Sequence, residues 1–189
     1  MTQQGKNAID LVLAESLIEL SAKKPIDKIT IKEITDKAGV IRPTFYNHFQ
    51  DKYELIEWII KTELLEPIKP LLNAGMIFEA IVLMLNNISA NSVFYKKALK
   101  LEGAVTFNQI AMKCVCEMFM NIISEKSTGK KSKYRWLTPE VISTYYAQSL
   151  CFITEGWIAQ GMDYIEPKEM AEAYMYLITR SMDDILSEL

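Results

Sequence analysis

The stretch Thr30–Lys52 reads TIKEITDKAGVIRPTFYNHFQDK and contains the start and stop signals of two short helices. Thr30 is a good N-cap, and Glu33 three residues later completes a capping box. Gly39 suits the left-handed backbone that ends a helix. The spacing then predicts a second helix over Arg42–Phe49. Two short helices around a glycine turn are typical of a helix-turn-helix, whose second helix enters the major groove of DNA.

The predicted second helix has two unlike faces. Phe45 and Phe49 are four residues apart, so they lie on one face and point inward. Pro43 is accepted in the first turn, because the amide that proline lacks would be unpaired there in any case. With Pro43 on the outward face, we expect phosphate contacts from Thr30, Tyr46, His48 and Lys52, and base-edge contacts from Arg42, Thr44 and Asn47. An exposed polar face in an ordinary helical bundle is the alternative.

The run Ala38–Leu55, AGVIRPTFYNHFQDKYEL, resembles the DNA-binding signature of TetR-family transcriptional regulators, A-G-V-S-x-x-T-x-Y-x-H-F-x-x-K-x-x-L. Ile41 stands where the family usually has Ser, so we expect the second helix to lack a side-chain cap. Thr35 stands where a small Ala is commonest, at the contact between the two helices. The resemblance implies a homodimeric repressor that binds a near-palindromic DNA operator. The matching residues are Ala38, Gly39, Val40, Thr44, Tyr46, His48, Phe49, Lys52 and Leu55.

The composition predicts an all-α protein with a sizeable core. Half of the 189 residues are hydrophobic, Gly and Pro are few, and no long stretch alternates apolar with polar residues. We expect a helix-turn-helix domain over residues 1–52, a connecting helix over 51–66, and a helical regulatory and dimerisation domain over 67–189. The first residues, MTQQGKNAIDL, are polar, and no apolar run is long enough to span a bilayer. We therefore predict a cytoplasmic protein that does not bind membranes.

Charge is distributed unevenly along the chain. The net charge is -3, but residues 21–52 hold seven basic and four acidic side chains, or +3, which leaves -6 for the remainder. A basic motif on an acidic body is the pattern expected of an electrostatic footprint for nucleic acid.

Enzyme and metal motifs are absent from the sequence. There is one His, no glycine-rich nucleotide loop and no H-E-x-x-H. Cys114, Cys116 and Cys151 are an odd number, as expected of reduced thiols, and a C-x-C on a helix places its two sulfurs on nearly opposite sides. We predict buried apolar cysteines, no metal site, no cofactor and no enzymatic activity.

The connecting helix is predicted to join two cores. It runs from Asp51 to about Glu66, where Pro67 and Pro70 stop it, so a tilt at one end would reach the other. Beyond it the body is rich in Met and aromatic residues, which are either ordinary core or the lining of a cavity for an unknown small-molecule effector. The candidate lining residues are Met84, Tyr95, Phe107, Met112, Phe119, Tyr145, Phe152 and Trp157.

The last two predicted helices carry apolar residues on more than one side. Thr138-Pro139-Glu140 starts one helix that runs to about Gln160, and Pro167 starts another that runs to near the C-terminus. Helices that are too apolar for one buried side indicate a partner surface. The family resemblance implies that this pair forms a homodimer.

Two further segments leave alternatives open. Residues 125–135, EKSTGKKSKYR, carry five basic residues and one acidic residue, and are either a solvated loop or a second DNA contact. The segments DKYELIEWI, LEGAVTF and WLTPEVIS resemble the branch of the family that includes the activator of dihydroxyacetone kinase operons. In that branch the input can be a partner protein, so the alternative function is a coactivator or adaptor of this fold.

Overall fold

The computed structural model describes residues 3–103, 105–126 and 133–188, and within these ranges every regular element is a helix. The all-α prediction is therefore confirmed. Most of the basic loop predicted over 125–135 lies outside the described residues. The α-helices are α1 Gln3–Lys23, α2 Ile31–Ala38, α3 Arg42–Tyr46, α4 Lys52–Ile59, α5 Lys69–Asn73, α6 Ile77–Ala90, α7 Ser92–Ala98, α8 Phe107–Lys126, α9 Pro139–Ala159, α10 Pro167–Thr179 and α11 Met182–Glu188.

The first four helices share one core. α1 packs against α2 and α4, and α2 packs against α3. Leu17 of α1, Ile34 of α2, Phe45 of α3 and Leu55 of α4 are completely buried. Burying one such side chain contributes about 1.5–3 kcal/mol. This shared core holds the two helices of the helix-turn-helix in a fixed relation to α1.

The connecting helix changes its hydrogen-bonding pattern midway. α4 runs on into a π-helical segment over Ile60–Leu65, where the amide of Glu66 donates to the carbonyl of Lys61 at 2.8 Å. The residues on its α-helical part, such as Ile59, are buried in the first core, whereas Leu64 is buried against the body. One helix therefore contributes to both cores, and π-helical turns of this kind occur often at functional sites.

The body is built around α8 and α9, which pack along each other, while α10 packs on α6. Cys114 and Cys151 are buried in this core, and burial raises the pKa of each thiol to about 12, so both stay protonated at neutral pH. Among the described helices none is by itself long and apolar enough to cross a bilayer. α6 and α7 meet that criterion only together, and they are bent by 88°.

The C-terminal region contains two helices where the sequence predicted one. α10 ends before Arg180, whose backbone is extended (φ -108°, ψ 152°). The amide of Ser181 then donates to the carboxylate of Asp184, and the Asp184 amide donates to the Ser181 hydroxyl, both at 3.2 Å. This reciprocal cap starts α11, because it satisfies amides that a continuous helix would have bonded internally.

Candidate nucleic-acid interface

The predicted capping box at the start of α2 is confirmed. The amide of Thr30 donates to the Glu33 carboxylate at 2.9 Å, and the Glu33 amide donates to Thr30 Oγ1 at 3.3 Å. The Lys24 ammonium and the Thr30 amide lower the pKa of Glu33 to about 2, so this cap persists through neutral pH. Gly39 ends α2 in the left-handed conformation, with φ of 69°, as predicted. These local signals fix where the turn lies.

α3 is shorter than the predicted Arg42–Phe49 helix and ends at Tyr46. The amides of His48 and Phe49 both donate to the carbonyl of Phe45, at 2.9 and 2.8 Å, so the chain tightens into a turn there. The Asp51 side chain then accepts from the amides of Tyr53 and Glu54 and starts α4. Glu54 itself accepts from the Gln50 amide, so this cap is not the reciprocal box that the sequence suggested.

The outer side of α3 forms the candidate reading surface, which consists of Ile41, Arg42, Pro43, Tyr46 and Asn47, all of them exposed. The opposite side carries Phe45, which is fully buried. Arg42 donates to the Tyr46 hydroxyl at 3.0 Å, and its guanidinium lies 5.5 Å from the centre of the Tyr46 ring. This pairing holds a cation and a hydroxyl together on the face predicted to meet DNA. Thr44 is half-buried beside them.

His48 faces inward and not toward the reading surface. Its Nδ1 lies 2.5 Å from Oδ1 of Asp10 on α1, and 2% of its side chain is exposed. A group that is buried and already hydrogen-bonded is not positioned to contact a phosphate. The structure therefore argues against the predicted His48 phosphate contact and indicates that this residue ties α3 to α1.

Lys52 also has a structural partner set. Its ammonium donates to the backbone carbonyls of Ile26, Asp27 and Ile29 at 2.9, 2.8 and 3.2 Å. Burial lowers the pKa of Lys52. An ammonium has three donors, and all three are used here. The structure therefore argues against the predicted Lys52 phosphate contact and shows this side chain fastening the start of α4 to the turn before α2.

The basic charge of residues 21–52 is partly neutralised. Lys24 pairs with Glu33, Lys37 pairs with Glu19, and Lys32 lies 3.4 Å from Asp36. In the described part of the chain, Lys23, Lys28 and Arg42 are exposed and form no ion pair, and they are the cations of this segment best placed to meet phosphates.

Asp10 is the residue of this region that sequence reasoning missed. It lies three residues before Leu13 and seven before Leu17, both buried, so a charged residue occupies a buried position of α1. That register was the available signal, because a buried acid needs a partner.

Ile41 occupies the N-cap of α3 with φ -84° and ψ 152°, and no side chain caps the helix there, as the sequence predicted. We expect Ile41→Ser to raise the free energy of unfolding by about 0.5–2 kcal/mol, because a hydroxyl can accept from an unpaired amide of the first turn. Urea unfolding measures the gain, with Ile41→Ala as the control for losing the side chain. Equal stability of the Ser and Ala variants would contradict the prediction.

The body contains two neighbouring cavities. The large cavity, of about 380 Å³, lies among α6, α8, α9 and α10 and includes Met84 and Phe119 in its lining. The small cavity, of about 40 Å³, lies against the π-helical segment and includes Met84, Tyr95 and Phe107. Four of the eight predicted lining residues therefore surround cavities, and they are Met84, Tyr95, Phe107 and Phe119.

The other four predicted lining residues lie elsewhere. Tyr145 and Phe152 are 64% and 76% exposed, because α9 turns that apolar side away from the body. Trp157 is buried, but its indole N–H donates to the carbonyl of Ile165 at 2.8 Å, and it lines neither cavity. Met112 packs against the core and also lines neither. In the described residues no group of three or more His, Cys, Asp or Glu is placed to hold a metal ion.

Comparison with known families agrees with this geometry over both parts of the chain. Residues 15–59 match the family described as bacterial regulatory proteins, tetR family, and residues 76–180 match the family described as transcriptional regulator C-terminal region. The chain belongs to the TetR family. It is a DNA-binding transcriptional regulator and not an enzyme.

Individual relatives differ in the sign of regulation that their names give. The chain is 26% identical over 152 residues, 79% of each sequence, to the HTH-type dhaKLM operon transcriptional activator DhaS of Lactococcus lactis subsp. lactis (strain IL1403). A solved structure of the dihydroxyacetone kinase operon activator DhaS superposes with a TM-score of 0.60 at 20% identity, covering 95% of both chains. NalD, the secondary repressor of the MexAB-OprM multidrug efflux pump in Pseudomonas aeruginosa, superposes with a TM-score of 0.59 at 12% identity, covering 92% of this chain and 96% of that one.

Proposed function

We propose that this TetR-family member is a cytoplasmic homodimer that binds a near-palindromic operator and releases it in response to an effector. The observation that carries the proposal is the reading surface, where exposed Arg42, Tyr46 and Asn47 lie on a helix whose opposite face is buried. Arg42 and Asn47 contact base edges, with Thr44 beside them, and Thr30 and Tyr46 contact phosphates. Lys23 and Lys28 replace His48 and Lys52 as further phosphate contacts.

Repression is the proposed sign of regulation. A dimer seated on an operator blocks access of polymerase to an overlapping promoter, and an effector that weakens the dimer's hold restores it. The relation to DhaS, which is named an activator, favours a second candidate: an activator or adaptor whose input is a partner protein. Reporter expression in a host with and without the gene separates the two, since deletion raises expression under repression and lowers it under activation.

We expect Arg42→Ala to weaken binding to the preferred operator by about 1–3 kcal/mol and to relax base preference there. The reason is that guanidinium groups make paired hydrogen bonds to guanine edges, which no alanine replaces. Fluorescence anisotropy on DNA that the purified protein selects from its own genome measures the loss. Arg180→Ala is the matched control, because that exposed Arg lies at the far end of the body. Equal losses in both variants would remove Arg42 from the base contacts.

The assignment of phosphate contacts is tested through salt dependence in the same assay. Lys28→Ala should lower the slope of log affinity against log salt by about 1 per subunit contact. Lys52→Met should leave that slope unchanged and lower the free energy of unfolding, because three backbone carbonyls lose their donor. A reduced slope for Lys52→Met with normal stability would restore the phosphate role that the sequence suggested.

Support for a homodimer comes from unpaired apolar stripes on the two helices that the sequence singled out. Tyr145 and Phe152 are seven residues apart on α9 and are both exposed, so they lie on one face of the helix. Leu177 is the corresponding exposed apolar residue of α10. Large exposed apolar side chains in continuous patches mark interaction surfaces. We propose that these stripes meet their copies in a second protomer.

Effector control is proposed to act through the connecting helix. Glu57 binds Lys61 at 2.7 Å and Lys113 of α8 at 2.8 Å, and Lys61 also binds Glu117 of α8 at 2.7 Å. Although burial opposes it, the two lysines lower the pKa of Glu57, so the network stays ionised at neutral pH. These contacts make α8 and the connecting helix move together.

A second contact joins the body to the DNA-binding unit. The amide of Glu102, between α7 and α8, donates to the carboxylate of Asp27 at 3.2 Å. A Cβ on neighbouring Gly103 would lie 2.8 Å from the Tyr53 hydroxyl, so this loop fits closely against α4. We propose that an effector in the body shifts these contacts together. A tenfold change in DNA affinity requires about 1.4 kcal/mol of such coupling.

A further inference from the structure

The small cavity has an apolar lining that includes two unusual polar atoms. The hydroxyls of Tyr95 and Thr154 are both buried and have no hydrogen-bond partner among the described residues. Tyr95 is completely buried on α7, and Thr154 lies on α9. Two hydroxyls from different helices therefore line one cavity of about 40 Å³. Unpaired buried hydroxyls cost folding free energy, and their presence needs an explanation.

The small and large cavities share a wall. Met84 of α6 and Leu150 of α9 line both of them. Met side chains are unbranched and flexible, so Met84 can move aside without a change in the backbone. An elongated molecule in the large cavity can thus extend one end past Met84 to the two hydroxyls.

The charges around both cavities define the class of ligand. No Lys or Arg lines either cavity, so an anionic end would be buried without a partner. Glu155 is the charged residue in the small cavity's lining, and its carboxylate accepts from Asn108 at 2.6 Å. A cationic end would have to compete for that carboxylate, whereas a neutral end needs only the two hydroxyls.

We propose that the small cavity binds the neutral hydrogen-bonding end of an amphiphilic effector, such as a hydroxyl or carbonyl group, whose apolar chain occupies the large cavity. This inference rests on the proposed effector control and adds the chemical class of the ligand. Ile60, Leu64 and Leu65 of the π-helical segment form part of the same cavity's lining. A ligand end seated there touches the helix that joins the body to the DNA-binding unit.

The test uses 1-octanol as the probe, with octanoate and octylammonium as charged analogues, and isothermal calorimetry on the protein without DNA. We expect 1-octanol to bind and both ions to bind at least about tenfold more weakly, since their charge would be desolvated. Tyr95→Phe and Thr154→Val should each weaken 1-octanol binding by about tenfold, which corresponds to one hydrogen bond. Thr154→Ser, which keeps the hydroxyl, should bind like the wild type.

Controls separate a lost hydrogen bond from lost structure. Without probe, Tyr95→Phe and Thr154→Val should melt no lower than the wild type, because each removes an unpaired buried group and keeps the side-chain shape. Tyr164→Phe removes a hydroxyl from a residue that is 82% exposed and should change nothing. Absence of 1-octanol binding, equal binding by the Phe and Val variants, or equal binding of octanoate would each overturn the inference.

A separate measurement tests the function on which the inference rests. Anisotropy with operator DNA shows whether saturating 1-octanol changes the protein's DNA affinity. Hydroxyl-dependent binding together with altered DNA affinity supports both proposals. Hydroxyl-dependent binding with unchanged DNA affinity supports the ligand site and contradicts its role in control.

Discussion

A Phe152→Asp chain should sediment as a monomer at micromolar concentration and lose about 10²–10⁴-fold of its operator affinity. Phe152 is 76% exposed on α9, so the change removes little from the core of the protomer and should leave its melting temperature nearly unchanged. In a dimer the same carboxylate would be buried against apolar side chains without a partner. The monomer retains one reading surface and loses the gain that comes from binding two half-sites at once.

Sedimentation velocity and anisotropy on a two-half-site operator test this prediction together. Tyr164→Asp is the matched control, because it adds the same charge at an equally exposed aromatic position between α9 and α10. Leu177→Asp repeats the test from α10. A Phe152→Asp protein that remains dimeric would exclude this face of α9 from the interface, and a wild-type monomer would exclude dimerisation altogether.

Exposure decides which substitution gives a clean answer. Ile178 has apolar neighbours in the sequence pattern of α10, but it is partly buried and lines the large cavity. A charge at Ile178 would therefore disturb the protomer and the interface at once. Phe152 and Leu177 avoid this ambiguity, because each is exposed in the isolated chain.

The parts of the fold that the sequence predicted well depend on short-range chemistry. The capping box of Thr30 and Glu33, the left-handed Gly39 and the uncapped Ile41 each involve contacts within a few residues, which a linear pattern records. The all-α class follows from periodicity in the same way. The break between α10 and α11 was missed although Ser181 and Asp184 are also three residues apart, because the apolar pattern continues across it.

The parts that the sequence predicted poorly depend on contacts distant along the chain. His48 and Lys52 match a DNA-binding signature, yet their partners are Asp10, 38 residues away, and carbonyls 23 to 26 residues away. Their positions in the motif cannot show whether they face inward or outward. Likewise, the apolar pattern of α9 shows two apolar sides but not which one packs on α8, and so Tyr145 and Phe152 were predicted in the pocket although they are exposed.

Asp10→Leu should be among the most destabilising single changes in the DNA-binding unit. It leaves Nδ1 of His48 buried without its partner at 2.5 Å, at a side chain of which 2% is exposed. The expected loss in the free energy of unfolding is about 1–3 kcal/mol for an unpaired neutral donor, rising to about 3–5 kcal/mol for a protonated imidazole. Urea unfolding measures it, with Glu15→Leu as the control for an exposed acid on the same helix.

The double variant Asp10→Leu/His48→Leu distinguishes a structural His48 from a DNA contact. Replacing both partners with apolar groups removes the unpaired atom, so the double variant should be more stable than Asp10→Leu alone. If His48 only ties α3 to α1, the folded double variant should bind operator with the salt slope of the wild type. If its imidazolium neutralised a phosphate, the slope would fall by about 0.9 for each contact. A lower slope in a fully folded double variant would return His48 to the reading surface despite its burial in the free protein.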